Sequence, residues 1–145
     1  MRAILWFAVV VINALIIRSR GKKAAAENPE LKRGCEKLLR GFLIYMNIPT
    51  VALAACEIFG GGYSNCIHLR SGNPFAVGLY LTITALVLGG LIWIYFMGGA
   101  EFLTKYPGLV NFNSSLSIRL SYGLIVVGWT VILTSEIISY LQVLE

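Results

Sequence analysis

The 145-residue chain contains no aspartate and a single histidine, His68. A Ser-His-Asp set therefore cannot form, and one histidine is too few for a bis-histidine haem or a typical zinc site. The three cysteines never occur at the Cys-x-x-Cys spacing that is typical of redox-active pairs. The sequence thus predicts no catalytic residues, no metal site and no cofactor, and it favours a protein that is not an enzyme.

Charged residues are also scarce, at 13% of the chain, whereas 57% of the residues are hydrophobic. Four apolar segments, at about residues 3–17, 42–59, 75–97 and 116–141, account for the excess. A soluble helical bundle needs a polar face on each helix, and the third segment carries no charge at all. The sequence therefore predicts an all-α integral membrane protein, with residues 1–145 forming a single domain of four transmembrane helices.

The positive charge is concentrated in one hydrophilic connector, residues 18–40. It carries eight Lys/Arg against three Glu, a balance of +5 that equals the net charge of the whole chain. Short loops rich in Lys/Arg stay in the cytoplasm. We therefore expect loop 18–41 to be cytoplasmic and both termini to lie on the non-cytoplasmic side of a bacterial inner membrane or an organelle membrane. Charge confined to one connector favours anionic lipid headgroups, and not nucleic acid, as a partner.

The first apolar segment is predicted to be a retained helix and not a signal peptide. No clear small-x-small cleavage site follows it, and the basic cluster lies after the apolar run instead of before it. Residues 18–26 then fit either an extension of this helix or a solvated coil.

The second half of the connector has the pattern of an amphipathic helix. Asn28 and Pro29 form a helix-start signal, and apolar residues from Leu31 to Phe42 recur at helical spacing opposite a basic face. We expect a helix that lies on the cytoplasmic membrane surface and runs into the second span. A solvated helix is the alternative.

Two transmembrane segments carry small residues along one face, which allows the backbones of neighbouring helices to approach closely. In the third segment the stripe consists of Gly78, Thr82, Ala85 and Gly89; in the fourth it includes Ser121, Gly128 and Ser135. In the second segment, Pro49 removes one backbone hydrogen bond and predicts a kink.

Two further groups are candidates for sites. Cys56 and Cys66 enclose nine residues on the predicted non-cytoplasmic side, where a disulfide between them would stabilise the fold by roughly 2–3 kcal/mol. Two unrelated buried thiols are the alternative.

Five basic residues near the cytoplasmic face are candidates for binding an anionic headgroup, so that a bound lipid is compatible with the pattern. They are Arg33, Lys37, Arg40, Lys105 and Arg119. Interface anchors and intramolecular ion pairs are the alternative for this set.

The four spans, the outward termini and the long basic first loop resemble the layout of the MAPEG membrane proteins, the microsomal glutathione transferases and their relatives. The resemblance covers the topology and no motif. The Arg/Asn/Glu-rich pattern of that family at helix two is absent, because Arg40, Tyr45 and Asn47 stand in other spacing. Trp93 to Phe96 replace the arginine expected near the end of helix three. The resemblance thus assigns no residue to glutathione chemistry.

The functional expectation is a small membrane protein that acts through helix packing. Its partners would be the bilayer and other transmembrane helices, as an accessory or structural subunit of a larger complex or as a homo-oligomer. The alternative is a MAPEG-like membrane enzyme, or a protein that binds lipids or anions through its cytoplasmic basic face.

Overall fold

The computed structural model describes residues 2–27, 32–106 and 114–144. Within these ranges the chain is all-helical and contains no strand. The helices are α1 (Arg2–Glu27), α2 (Lys32–Phe59), α3 (Tyr63–Cys66), α4 (Pro74–Phe96), α5 (Gly99–Thr104) and α6 (Ser115–Leu144), with a 3-10 turn at Leu69–Ser71. Helices α1, α2, α4 and α6 are long and apolar enough to cross a membrane. The expected class, a helical protein with four membrane-length helices, is confirmed.

Helix α1 continues well past the apolar run at residues 3–17 and ends at Glu27. The added residues are mainly Lys, Ala and Arg, which are strong helix formers. At 1.5 Å per residue, a helix of this length reaches roughly 39 Å, more than the roughly 30 Å of a hydrocarbon core. Of the two alternatives for residues 18–26, the helix extension is the one that forms.

Helix α2 is continuous from Lys32 to Phe59, with Pro49 inside it. The residues that would form the surface helix are therefore the first turns of the same helix, and the signal at Asn28 and Pro29 lies outside the described residues. The kink at Pro49 stays a prediction.

Both ends of α4 follow from local sequence. The Asn73 side chain accepts a hydrogen bond from the Phe75 N–H at 2.9 Å, and Pro74 occupies the first helical position. At the other end Gly98 adopts a left-handed backbone with φ of 72°, which a residue with a Cβ rarely adopts. This turn allows α5 to begin directly at Gly99.

The long helices pack as a row. Helix α1 packs against α2, α2 against α4, and α4 against α6. In the described part of the chain, the backbones of α1 and α6, or of α2 and α6, do not come together. We call the end of the row that carries Glu27, Lys32 and α5 the connector end. The end that carries residues 60–73 is the cap end.

Two small apolar cores hold the row together. At the cap end, Cys56, Cys66 and Leu79 form one core against Leu53 and Ile83. At the connector end, the second core contains Ile94, Ala100, Leu103 and Ile118. The short helices α3 and α5 each contribute to one core, so they tie the two ends of the row to α4.

Candidate functional site: the cleft between α2, α4, α5 and α6

A cleft opens at the connector end because α2 and α6 both pack on α4 but not on each other. Phe102 and Leu103 of α5 form part of its wall, together with Trp93 and Ile94 of α4. The cleft encloses about 800 Å³, within the roughly 300–1,000 Å³ typical of small-molecule sites. In the described part of the chain it is larger than a second cavity of about 400 Å³, which is lined by residues of α1 and α2.

Two tyrosines close the cleft on the side away from the connector. The Tyr45 hydroxyl donates a hydrogen bond to the Leu86 carbonyl at 2.7 Å, and the Tyr122 hydroxyl donates to the Val87 carbonyl at 3.1 Å. The two hydroxyl oxygens lie 3.1 Å apart. These side chains therefore connect α2 and α6 across α4, although the two helix backbones remain separate.

Gly90 makes room for this contact. A Cβ at Gly90 would overlap the Tyr122 hydroxyl and would lie 2.8 Å from the Tyr45 hydroxyl oxygen. The neighbouring Gly89 also lines the cleft, but a Cβ there would have no atom within 4 Å. Of the two adjacent glycines, Gly90 is thus required for packing and Gly89 leaves the cleft open.

Lys37 is the one charged residue among those that line the cleft in the described ranges. It lies near the start of α2 and is exposed, so its ammonium group is at the connector end of the cleft. Arg40, three residues later, instead lines a groove of about 400 Å³ between α1 and α2, with Leu39 and Leu43. The two cations therefore face different cavities.

The remaining basic candidates lie elsewhere. Arg119 Nη2 forms an ion pair with Glu101 Oε1 at 2.6 Å, with both side chains about half exposed. Lys105 follows α5 and is exposed. The side chain of Arg33 lies outside the described residues. Of the four whose side chains the structure describes, Lys37 alone lines the cleft, and Lys37, Arg40 and Arg119 lie in separate places.

The two small-residue stripes are exposed over most of their length, but Gly89 and Ser121 line the cleft. Gly78, Ala85 and Gly89 are exposed and Thr82 is half-buried; on α6, Gly128 and Ser135 are exposed and Ser121 is half-buried beside the cleft. The contacts between α4 and α6 use other residues. Tyr80 stacks on Trp129 at 5.5 Å, and the Trp129 Nε1–H donates to Thr84 Oγ1 at 3.1 Å.

Cys56 and Cys66 are both buried and lie together at the cap end as free thiols. The Cys66 thiol donates to the Cys56 carbonyl, and the Cys56 thiol donates to the Phe75 carbonyl, both at 3.6 Å. A Cβ at Gly60 would lie 2.5 Å from the Cys66 sulfur, so glycine is needed there. The disulfide between these cysteines stays a prediction.

At the cap end, the Glu136 carboxylate links distant parts of the chain. Glu136 Oε1 lies 3.0 Å from His68 Nδ1, and Glu136 Oε2 accepts a hydrogen bond from the Leu69 N–H at 3.0 Å. Glu57 Oε2 accepts separately from the Tyr63 N–H at 2.7 Å. Each carboxylate therefore has its own loop partner, and the two acids do not share one interior site.

The sequence did not point to the tyrosine contact or to the pairing of His68 with Glu136. The available signals were the Gly89-Gly90 pair inside an apolar helix, which often marks a packing requirement, and a single acid deep in α6, which needs a partner.

Comparison with protein-family models, with curated proteins and with solved structures gave no match for this chain. The resemblance to the MAPEG proteins therefore remains one of layout.

Proposed function

We propose that this chain is a small polytopic membrane protein that acts through helix packing, either as an accessory or structural subunit of a larger membrane complex or as a homo-oligomer. The observation that supports this proposal is the exposure of Gly78 and Ala85 on α4 and of Gly128 and Ser135 on α6.

Small residues facing outwards need a reason in a membrane protein. Lipid tails are as apolar as leucine, so an exposed apolar face alone drives no association, whereas small residues allow the close backbone contact that does. Glycine inside a helix also destabilises it by roughly 0.5–1 kcal/mol relative to alanine. A Cβ at Gly78 or Gly128 would meet no atom within 4 Å. Nothing in the described part of the chain therefore requires these glycines, which supports a contact with another chain.

The proposed orientation places the connector end in the cytoplasm and both termini on the opposite side. It is supported by the basic residues of the connector. In this orientation the first turns of α2 would lie at the cytoplasmic membrane surface. A reporter fused to the C-terminus should be active only outside the cytoplasm, and a cytoplasmic signal would contradict the orientation.

The assembly proposal is tested by native mass spectrometry and cross-linking of the protein in lipid nanodiscs. The unaltered protein should assemble with itself or with a stoichiometric partner. Gly78→Leu and Gly128→Leu should each weaken that assembly at least tenfold, because the new side chain separates the backbones.

The control variants add bulk on other exposed flanks of the same helices. They are Val77→Phe and Val127→Phe, each one position before the substituted glycine and so about 100° round the helix, at side chains that are 46% and 60% exposed. Assembly should survive both. A protein that remains monomeric without a stoichiometric partner would refute the proposal, and so would equal damage by the control variants.

A second candidate function, lipid or anion binding at the cytoplasmic face, is favoured by one observation. The cleft is apolar in its body and has Lys37 at its connector end. The structure provides no residue set that favours the enzymatic form of this alternative.

A further inference from the structure

The cleft has the polarity of a site for an amphiphile. Its connector end carries the Lys37 ammonium group, and its body is formed by apolar side chains such as Phe42, Trp93 and Ile125. At the far side the tyrosine hydroxyls already donate to the carbonyls of Leu86 and Val87. The cleft thus combines one cation at its opening with a body that offers no unpaired charge.

The size of the cleft favours a lipid chain over a partner helix as its occupant. A helix with side chains is about 10–12 Å across, so the 800 Å³ of the cleft would accept only about two helical turns. A narrow acyl chain can instead lie along the cleft. The openings beside Gly41 and Gly89 remain free, since a Cβ at either glycine would have no atom within 4 Å.

We infer that the cleft binds one acyl chain of an anionic phospholipid, with the lipid phosphate paired to Lys37. The site favours an anionic lipid, because Lys37 lines the cleft and no acidic residue does so within the described ranges. This inference concerns a site within one chain and does not depend on the assembly proposed above.

Trp93 provides a local probe, because it lines the cleft. The other two tryptophans of the chain are Trp6 and Trp129, and neither lines the cleft. The full-length protein carrying Trp6→Phe and Trp129→Phe therefore reports from the cleft alone. It is reconstituted in phosphatidylcholine vesicles that contain equal mole fractions of either dibrominated phosphatidylglycerol or dibrominated phosphatidylcholine, and bromine quenching of Trp93 is measured.

The anionic brominated lipid should bind about fivefold more tightly than the zwitterionic one, which corresponds to about 1 kcal/mol for one lysine near a membrane surface. Lys37→Gln should remove this preference. Arg40→Gln should retain it, because Arg40 faces the groove between α1 and α2.

Two variants that fill the cleft test whether a lipid chain occupies it, independently of the charge of Lys37. Gly89→Leu and Gly41→Leu add side chains to free parts of the cleft and should reduce quenching by both brominated lipids. The matched control is Leu88→Phe, a half-exposed neighbour at the same depth of α4 that does not line the cleft, and quenching should persist in it.

A second measurement avoids the tryptophan substitutions. Native mass spectrometry of the unaltered protein should show one retained phosphatidylglycerol per chain, and Lys37→Gln should lose it. Equal quenching by the two lipids, an unchanged preference in Lys37→Gln, or quenching that is insensitive to Gly89→Leu and Gly41→Leu would each overturn the inference. So would cross-links that place a helix of a second copy in the cleft. Loss of assembly with the lipid preference intact would contradict only the proposed function.

Discussion

Gly89 and Gly90 are adjacent in α4, yet adding one methyl group to each should have opposite effects on stability. At Gly89 a Cβ would have no neighbour within 4 Å, whereas at Gly90 it would overlap the Tyr122 hydroxyl and crowd the Tyr45 hydroxyl. We predict that Gly90→Ala destabilises the protein and that Gly89→Ala stabilises it.

The magnitudes follow from opposing terms. Alanine is better than glycine inside a helix by about 0.8–1.0 kcal/mol, and this gain applies at both positions. At Gly90 an overpacked contact adds a penalty of about 1–3 kcal/mol. Displacing the tyrosines also weakens two interhelical hydrogen bonds, each contributing about 0.6 kcal/mol in a membrane protein. Because the helix-propensity gain is common to both, the two variants should differ by about 2–4 kcal/mol in the free energy of unfolding, from overpacking and the lost hydrogen bonds.

The assay is unfolding in mixed detergent micelles, followed by circular dichroism, for both single variants. A double-mutant cycle with Tyr122→Phe identifies the cause. Tyr122→Phe alone should be mildly destabilising, because it removes the hydroxyl that donates to Val87. In the Gly90→Ala protein the same change should recover only part of the lost stability, because it removes the nearest overlapping atom but leaves Tyr122 Cζ 2.5 Å from the new Cβ. If Gly90→Ala is as stable as Gly89→Ala, the close packing of Tyr45 and Tyr122 on Gly90 is refuted.

Two further predictions concern the cap end. Glu136→Ala should speed hydrogen exchange at Leu69 and nearby residues of the cap end, because it removes the acceptor of the Leu69 N–H and the partner of His68. The control is Glu101→Ala, which breaks only an exposed pair worth about 0–1 kcal/mol. Unchanged exchange at Leu69 in Glu136→Ala would contradict the contact. Cys56 and Cys66, at 2% and 0% exposure, should resist maleimide in the folded protein and react after unfolding. An intact mass lower by two hydrogens before reduction would instead demonstrate the disulfide, and rapid labelling of the folded protein would contradict their burial.

The sequence allowed the membrane-length helices to be predicted because long apolar runs identify them without tertiary information. The 23 residues of α4 match the third predicted segment within one residue at each end. Helix α1 extends beyond the predicted span at residues 3–17, because hydropathy ends at Ile17 whereas helix propensity continues through the lysines and alanines that follow.

The candidate site was less predictable because it depends on contacts between distant residues. Lys37 and Arg40 have similar side chains and lie one turn apart, but α1 covers one flank of α2 and leaves the other to the cleft. The partner of Gly90 is Tyr122, 32 positions away, and spacing within one helix cannot reveal such a contact. The small-residue stripes were visible in the sequence, but whether they face inwards or outwards was not.

The row arrangement has a consequence for α1. In the described ranges its one packing neighbour is α2, whereas α2 and α4 each have two long neighbours; α6 has one, α4, but packs in addition on α5 and on the 3-10 turn. Little besides this one interface and the contact of Trp6 with Tyr63 at 5.8 Å anchors the amino-terminal helix. When harsh detergents dissolve the bilayer around the protein, α1 should therefore be the first long helix to separate, leaving α2, α4 and α6 as the more durable remainder.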